Sequence, residues 1–219
     1  MTLNVDEALR YLGVRSDPDG TLHAQMTAMA EEVAAKHRPR WVWRAFAIDR
    51  TEGKLTLTGT MLTLPGHTAE RMLADCRQAV LLVCTLGTAF DAWVRAEQAR
   101  DMRRAVLLDA LGSAWVETGC DTAEQEIAAR FPGMYLTDRF SPGYGDLPLD
   151  VQPELLSAAD ARRRVGVYDT PSRLMNPQKS VTAVIGIADK PQMARIRGCA
   201  YCAMNKTCAL RKAGTPCDI

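Results

Sequence analysis

The groups best suited to bind a charged small molecule lie in one short run, Arg139-Phe140-Ser141-Pro142-Gly143-Tyr144-Gly145-Asp146-Leu147-Pro148. Its glycines and prolines exclude a helix or a central strand, because proline lacks a backbone donor and glycine adopts angles that other residues avoid. Arg139 offers a planar cation that matches a carboxylate or phosphate through two hydrogen bonds, and glycine lets the backbone approach a ligand closely. The run predicts a ligand-binding loop, and the alternative is an ordinary tight turn with a solvated arginine.

A second group with chemical potential lies at the end of the chain, which holds four of the seven cysteines: Cys199, Cys202, Cys208 and Cys217. Basic neighbours lower thiol pKa values, and four thiolates can close a zinc site or hold an iron–sulfur cluster. The spacing is neither the paired Cys-x2-Cys of common zinc ribbons nor the Cys-x3-Cys-x2-Cys of radical enzymes. We predict that this tail binds a metal, and the alternative is free or disulfide-forming cysteines.

A third candidate is Glu117, on the longest helical pattern of the chain, which runs from Asp101 to about Arg130. Gly112, Ser113 and Ala114 form a stretch of small residues one turn before it, and small residues on a helix permit close approach of another backbone or a ligand. Glu117 is therefore either a solvated helix residue or the partner of a cationic ligand group held against this notch.

The order of strands and helices must position these residues. Ala79 to Cys84 is an apolar run typical of a strand buried on both faces, and Ser180 to Ile187 predicts another strand. Trp41 to Ile48 and Lys54 to Leu64 are rich in strand-forming residues and predict a strand pair. Strands in pairs with helices between them favour an α+β fold over a regular parallel βαβ repeat.

Composition excludes several classes of function. The 219 residues carry 27 Lys and Arg against 26 Asp and Glu, a net charge of +1, so no basic field indicates a nucleic-acid partner. The longest apolar run, Ala79 to Cys84, is far too short to span a membrane. The N-terminal residues lack the basic and apolar regions of a signal peptide. We expect a cytoplasmic protein with neither nucleic acid nor membrane as a partner.

Several of these segments together resemble the activation domain of vitamin B12-dependent methionine synthase. The resemblance is closest to short, free-standing forms of that domain, which read Arg-Phe-Ser-Pro-Gly-Tyr-Gly-Asp-Leu-Pro almost unchanged and continue to a Pro-x-Lys-Ser-Val-Thr-Ala strand, here Pro177 to Ala183. Weaker matches fall at 165–167 and 170–172. The resemblance extends over most of the chain, from about Val5 to Ile187.

The resemblance implies a helmet-like α+β domain with a twisted, mainly antiparallel sheet flanked by helices. It also implies an activity, which is methyl transfer from S-adenosylmethionine to cobalamin that has been oxidised to inactive cob(II)alamin, while an external donor supplies one electron. Such a protein reactivates a cobalamin-dependent methionine synthase or a related corrinoid protein.

Individual roles follow by position from the resemblance. Arg139 matches the arginine that holds the methionyl carboxylate, and Ser141, Gly143 and Tyr144 match loop residues that meet the ligand, largely through backbone groups. An aromatic ring beside a sulfonium cation agrees with that role. Glu117 matches the glutamate on the family's helix.

Three departures from the full-length methionine synthase, called the large enzyme below, limit the resemblance. Arg173 follows Ser172 where the large enzyme has a tyrosine, and the N-terminal segment that supplies an acidic contact there has no counterpart. The chain also lacks Asp-x-His-x-x-Gly, the motif that places a histidine under cobalt, so the corrinoid must come with a partner protein.

The cysteine tail lies beyond the part of the chain that resembles the activation domain. We therefore expect an activation-like domain at 1–190 and a tail at 191–219. Because reactivation needs an electron, an iron–sulfur cluster in the tail is favoured over zinc.

Two other functions stay open. The chain could be a docking module for a truncated methionine synthase that catalyses no transfer, or a metal or redox protein based on the tail.

Overall fold

The computed structural model describes residues 1–14, 16–192, 207 and 212. The helices, in chain order, are α1 (Val5–Tyr11), α2 (Thr21–Lys36), α3 (His67–Leu73), α4 (Thr88–Gln98), α5 (Met102–Arg130), α6 (Gln152–Ala158) and α7 (Ala161–Val165), with short 3-10 turns at Thr51–Gly53 and Leu149–Val151. The strands are β1 (Arg40–Asp49), β2 (Thr56–Leu57), β3 (Cys76–Thr85), β4 (Tyr135–Leu136), β5 (Tyr168–Asp169), β6 (Met175–Asn176) and β7 (Ser180–Ala188).

The main sheet of the described residues is antiparallel and has five strands in the order β2-β1-β3-β7-β4. The end of β1 pairs with β2, where Ile48 lies opposite Leu57, and β4 pairs with the end of β7, where Leu136 lies opposite Ile187. The central strands β3 and β7 are buried along most of their length, as their apolar sequences predict. A second, two-stranded sheet joins β5 to β6. The α+β class expected from the sequence is confirmed.

The chain divides into two compact units. The first comprises Met1–Trp43, Leu82–Ile127 and Ala159–Val181, and the second comprises Arg44–Leu81, Ala128–Ala158 and Thr182–Ile219. The predicted division at residue 190 concerns the tail, which apart from 191, 192, 207 and 212 lies outside the described residues. That division stays a prediction.

The core of the first unit is built on α5, which the helical pattern at 101–130 predicted almost to the residue. Its inner face buries Leu108, Leu111 and Trp115 against neighbouring elements. The Trp115 indole donates a hydrogen bond to the backbone carbonyl of His37, the residue that ends α2. Burial of a tryptophan with its N–H paired therefore joins the two longest helices.

The core of the second unit contains a cluster of fully buried apolar side chains, namely Leu57, Leu62, Leu64, Met72 and Leu73. The predicted strand from Lys54 to Leu64 is wrong, since only Thr56 and Leu57 form β2. The chain turns at Gly59, where φ is +78°, and the Thr60 hydroxyl donates to the Leu57 carbonyl over 2.7 Å. A local hydroxyl-to-backbone bond and a positive-φ glycine thus end the strand that the alternating threonines suggested.

Within the part of the chain that the structure describes, no helix is both long enough and apolar enough to cross a membrane.

Candidate functional site

The loop from Arg139 to Pro148 belongs to the second unit and is fixed at its start to β7. Phe140 is fully buried and forms an isolated antiparallel bridge with Val184. The Phe140 N–H donates to the Val184 carbonyl over 3.1 Å, and the Val184 N–H donates to the Phe140 carbonyl over 2.7 Å. Leu147, near the end of the loop, is 1% exposed. Two buried apolar side chains therefore hold the ends of the loop in the core.

Two consecutive turns shape the middle of the loop. The N–H of Tyr144 donates to the Ser141 carbonyl, and the N–H of Leu147 donates to the Tyr144 carbonyl, both over 3.0 Å. The Gly143 N–H donates to the Leu147 carbonyl over 2.8 Å. Gly143 has φ +91° and Gly145 has φ +57°, in the region that favours glycine. The backbone is thus internally hydrogen-bonded, while the Tyr144 side chain is 52% exposed beside it.

The four loop residues predicted to bind a ligand differ in what their side chains can offer. Arg139 is 8% exposed, so its guanidinium lies largely out of water and its electrostatic interactions are stronger than at the surface. The Ser141 hydroxyl donates to the Thr182 carbonyl on β7 over 2.6 Å. Since a hydroxyl has one hydrogen to donate, this bond commits it to the fold. Arg139 and Tyr144 remain the loop's candidate side-chain contacts, whereas Ser141 and Gly143 can contribute backbone carbonyls, each of which has two lone pairs to accept hydrogen bonds.

Thr182, which accepts the hydrogen bond from Ser141, forms a buried polar pair with Gln152. Thr182 is 2% exposed and Gln152 is 3% exposed. The Thr182 hydroxyl lies 3.0 Å from Nε2 and 3.1 Å from Oε1 of the Gln152 amide. A buried amide and hydroxyl that satisfy each other resist displacement, because separating them would leave unpaired polar groups. The first residues of α6 are thereby tied to the strand that carries the loop.

The predicted Glu117 lies on α5 in the first unit, where it is half-buried. Ser113 and Asp109 precede it by one and two turns, and Lys179 bonds to both, with Nζ 2.9 Å from the Ser113 hydroxyl and 2.9 Å from the Asp109 carboxylate. The notch at Gly112 is filled by a side chain rather than left for a ligand, because an added Cβ would lie 2.4 Å from Cε1 of Phe90. The role of Glu117 stays a prediction.

The residue that departs from the large enzyme, Arg173, lies between β5 and β6. It has φ +63°, and its guanidinium forms an ion pair with Asp169 at 3.3 Å. An arginine held in this way faces its own hairpin, and a tyrosine at this position would lack that charge interaction. Leu174 beside it is 68% exposed.

Sequence reasoning missed the role of Asp146, whose carboxylate caps α3. Oδ2 accepts the His67 N–H over 2.7 Å, and Oδ1 accepts the Thr68 N–H over 2.9 Å. The residue before α3 is Gly66, which has no side chain to cap the helix. A carboxylate at a helix start satisfies donors that no intrahelical carbonyl can reach. Glycine stands at the N-cap position of α3 in place of Ser, Thr, Asp or Asn, and this was the available signal that the cap comes from elsewhere.

The hydrogen bonds to the Asp146 carboxylate lower its pKa. The Thr68 hydroxyl, followed by the backbone N–H groups of Thr68 and His67, lowers the pKa of Asp146 from 3.8 to about 2. Because the folded pKa is the lower one, the stabilisation is present above the ordinary pKa and is lost as the pH falls through about 2. We expect a carboxyl NMR midpoint near 2 in the wild type and a higher one in Thr68→Val. A wild-type midpoint at the ordinary value would contradict the cap.

A separate surface cleft of about 560 Å³ lies in the second unit and is lined by Arg44, Phe46, Gly59, Thr60, Met61, Pro153, Glu154, Ser157 and Ala158. Arg44 lies over the Phe46 ring at 5.1 Å and donates to the Ala158 carbonyl over 2.7 Å. The cationic wall of the cleft is thus bonded to the end of α6.

Among the described residues, no group of three or more His, Cys, Asp and Glu side chains could hold a metal ion. Cys76, Cys84 and Cys120 are buried and separate thiols. Cys199, Cys202, Cys208 and Cys217 lie outside the described residues. The metal site of the tail stays a prediction.

Comparison with known proteins gives similarity of fold without similarity of sequence. No family model matches the chain, and no curated protein matches it. Among solved structures it is similar to the crystal structure of the MetH reactivation domain bound to AdoHcy, with a TM-score of 0.62 and 13% sequence identity. The match covers 94% of this chain and 77% of that one. The protein therefore has the fold of a methionine synthase reactivation domain.

Proposed function

We propose that this protein binds S-adenosylmethionine and uses it to reactivate the cobalamin of a separate methionine synthase or related corrinoid protein. The observation that carries the proposal is the loop from Arg139 to Pro148, with a buried arginine, two positive-φ glycines and an exposed tyrosine on one hydrogen-bonded backbone. The fold supports it, since a reactivation domain of the same fold has been crystallised with AdoHcy. AdoHcy is S-adenosylhomocysteine, the product that remains when S-adenosylmethionine gives up its methyl group.

The proposed contacts follow the chemistry of the ligand. The Arg139 guanidinium pairs with the methionyl carboxylate, a charge-assisted interaction that is strong where water is largely excluded. Gly143 and Ser141 present backbone groups, and the Tyr144 ring lies beside the sulfonium, whose positive charge an aromatic face attracts. For Glu117, on α5 in the first unit, the proposed pairing with a cationic ligand group rests on the resemblance alone.

The proposed reaction consumes one electron and one methyl group. An external donor reduces cob(II)alamin to cob(I)alamin, whose cobalt takes the methyl group as the sulfur–carbon bond of S-adenosylmethionine breaks. A cobalt–carbon bond forms, and the sulfonium becomes the thioether of AdoHcy. The corrinoid is a substrate carried by the partner, because the sequence has no Asp-x-His-x-x-Gly motif.

We further propose that the tail at 191–219 is a separate metal-binding segment beyond the activation-like domain at 1–190. Cys199, Cys202, Cys208 and Cys217 would hold an iron–sulfur cluster that passes the electron, with zinc as the alternative. The support is the density of thiols and their basic neighbours in the sequence.

The test is anaerobic reconstitution of the full-length protein with candidate corrinoid proteins, a reductant and S-adenosylmethionine. We expect the absorption spectrum of cob(II)alamin to be replaced by that of methylcobalamin, with one AdoHcy formed per cobalt. A variant with serine at the four tail cysteines should keep AdoHcy binding and lose electron delivery by a natural donor. Binding of a corrinoid protein without methyl transfer would instead favour the docking module.

A further inference from the structure

An interlock between two glycine-containing segments connects the loop to α3. In one segment Gly66 precedes His67 and Thr68, and in the other Gly145 precedes Asp146. Beside the two carboxylate bonds of Asp146, its own N–H lies 3.4 Å from the Thr68 hydroxyl oxygen. Side chain and backbone of Asp146 thus both bond to the first turn of α3.

Both glycines are required by this close approach. A Cβ on Gly66 would lie 2.8 Å from Cγ of Asp146, and a Cβ on Gly145 would lie 2.2 Å from Oγ1 of Thr68. Each glycine also has positive φ, +96° at Gly66 and +57° at Gly145. The two segments therefore fit each other through backbone contact that other residues would prevent.

The helix that receives the loop is itself fixed in the core. Ala69, Met72 and Leu73 on α3 are fully buried, and closely packed interiors change position only at a cost in free energy. Asp146 consequently joins the exposed turn at Gly143 and Tyr144 to a rigid element rather than to another surface loop.

We propose that Asp146 is a positioning residue that holds the turn at 143–146 in its binding conformation before a ligand arrives. The inference rests on the proposed function, in which Gly143 and Tyr144 meet S-adenosylmethionine. When only a fraction of molecules has the binding conformation, the apparent Kd rises in inverse proportion to that fraction. Asp146 thereby acts on affinity without touching the ligand.

Asp146→Asn is the sharpest test, because it keeps the size of the side chain. Asparagine has one oxygen where Asp146 uses two, so its NH₂ group would face a backbone N–H, donor against donor. We expect the Kd for AdoHcy, measured by calorimetry at neutral pH, to rise about tenfold, which corresponds to about 1.4 kcal/mol. Amide hydrogens of Gly143 and Leu147 should exchange faster in the variant without ligand.

Two further variants keep the test decisive. Thr68→Ala removes the hydroxyl and leaves the two backbone N–H bonds to the Asp146 carboxylate, so it should weaken binding less than Asp146→Asn. It also covers the case in which the asparagine variant does not fold. Glu70→Gln is the matched control on α3, since Glu70 is exposed and contacts His67. It should bind AdoHcy like the wild type.

Unchanged amide exchange together with unchanged AdoHcy affinity in Asp146→Asn and Thr68→Ala would overturn the proposal. Failure of the wild type to bind AdoHcy would overturn the proposed function instead. The positioning role is then decided by amide exchange alone, where faster exchange at Gly143 and Leu147 supports it and equal exchange refutes it.

Discussion

Arg139→Ala is expected to weaken binding of S-adenosylmethionine and AdoHcy by about 10- to 100-fold. The loss corresponds to a charge-assisted hydrogen-bonded pair worth about 1.5–3 kcal/mol. Arg139 is 8% exposed, so water does little to replace the interaction that is removed. Calorimetric titration with AdoHcy measures the effect directly and needs no corrinoid partner.

Two controls separate binding from folding in this experiment. Arg139→Lys keeps the charge but loses the planar fork, so it should recover only part of the affinity. Arg163→Ala removes an arginine of α7 whose side chain is 74% exposed and paired with Asp160, the residue before the helix, and it should bind like the wild type. Equal AdoHcy affinity of Arg139→Ala and the wild type, with both folded, would exclude Arg139 from the site.

Patterns that are local in the sequence predicted the framework well. The apolar run from Ala79 to Cys84 predicted most of β3, and the helical repeat predicted α5. Both signals, an apolar run and a helical periodicity, depend only on residues that are close together in the sequence. The glycines and prolines of the loop likewise predicted a shaped turn, which the structure contains at Gly143 and Gly145.

Features that depend on distant residues were not predictable from such patterns. The cap of α3 comes from Asp146, 79 residues after His67 in the chain, and no local motif pairs these positions. The strand predicted from Lys54 failed at Gly59 and Thr60, where turn chemistry outweighs β-propensity. The small residues near Gly112 were interpreted as a place where another backbone or a ligand approaches, whereas the group that lies there is the Phe90 side chain, which no local pattern identifies.

Phe90→Ala is expected to lower the free energy of unfolding by about 3–5 kcal/mol, the largest stability effect that we predict. The ring is fully buried. It packs edge-on against the ring of His37 at 5.4 Å and against that of Trp93 at 6.1 Å, so its removal leaves a cavity and breaks two aromatic contacts. Urea denaturation of the full-length protein measures the change.

Gly112→Ala provides the matched test of whether the Phe90 ring fills the notch beside Gly112. In the wild type its Cβ would meet the ring at 2.4 Å, and overpacking of about 1–3 kcal/mol should outweigh the gain in helix propensity of about 1 kcal/mol. In the Phe90→Ala background the clash is gone, so the same substitution should stabilise the protein. A double-mutant cycle should therefore show that Gly112→Ala lowers the free energy of unfolding in the wild type and raises it in Phe90→Ala. Equal effects of Gly112→Ala in both backgrounds would mean that the ring does not fill the notch, and the small residues before Glu117 would again be available to a ligand.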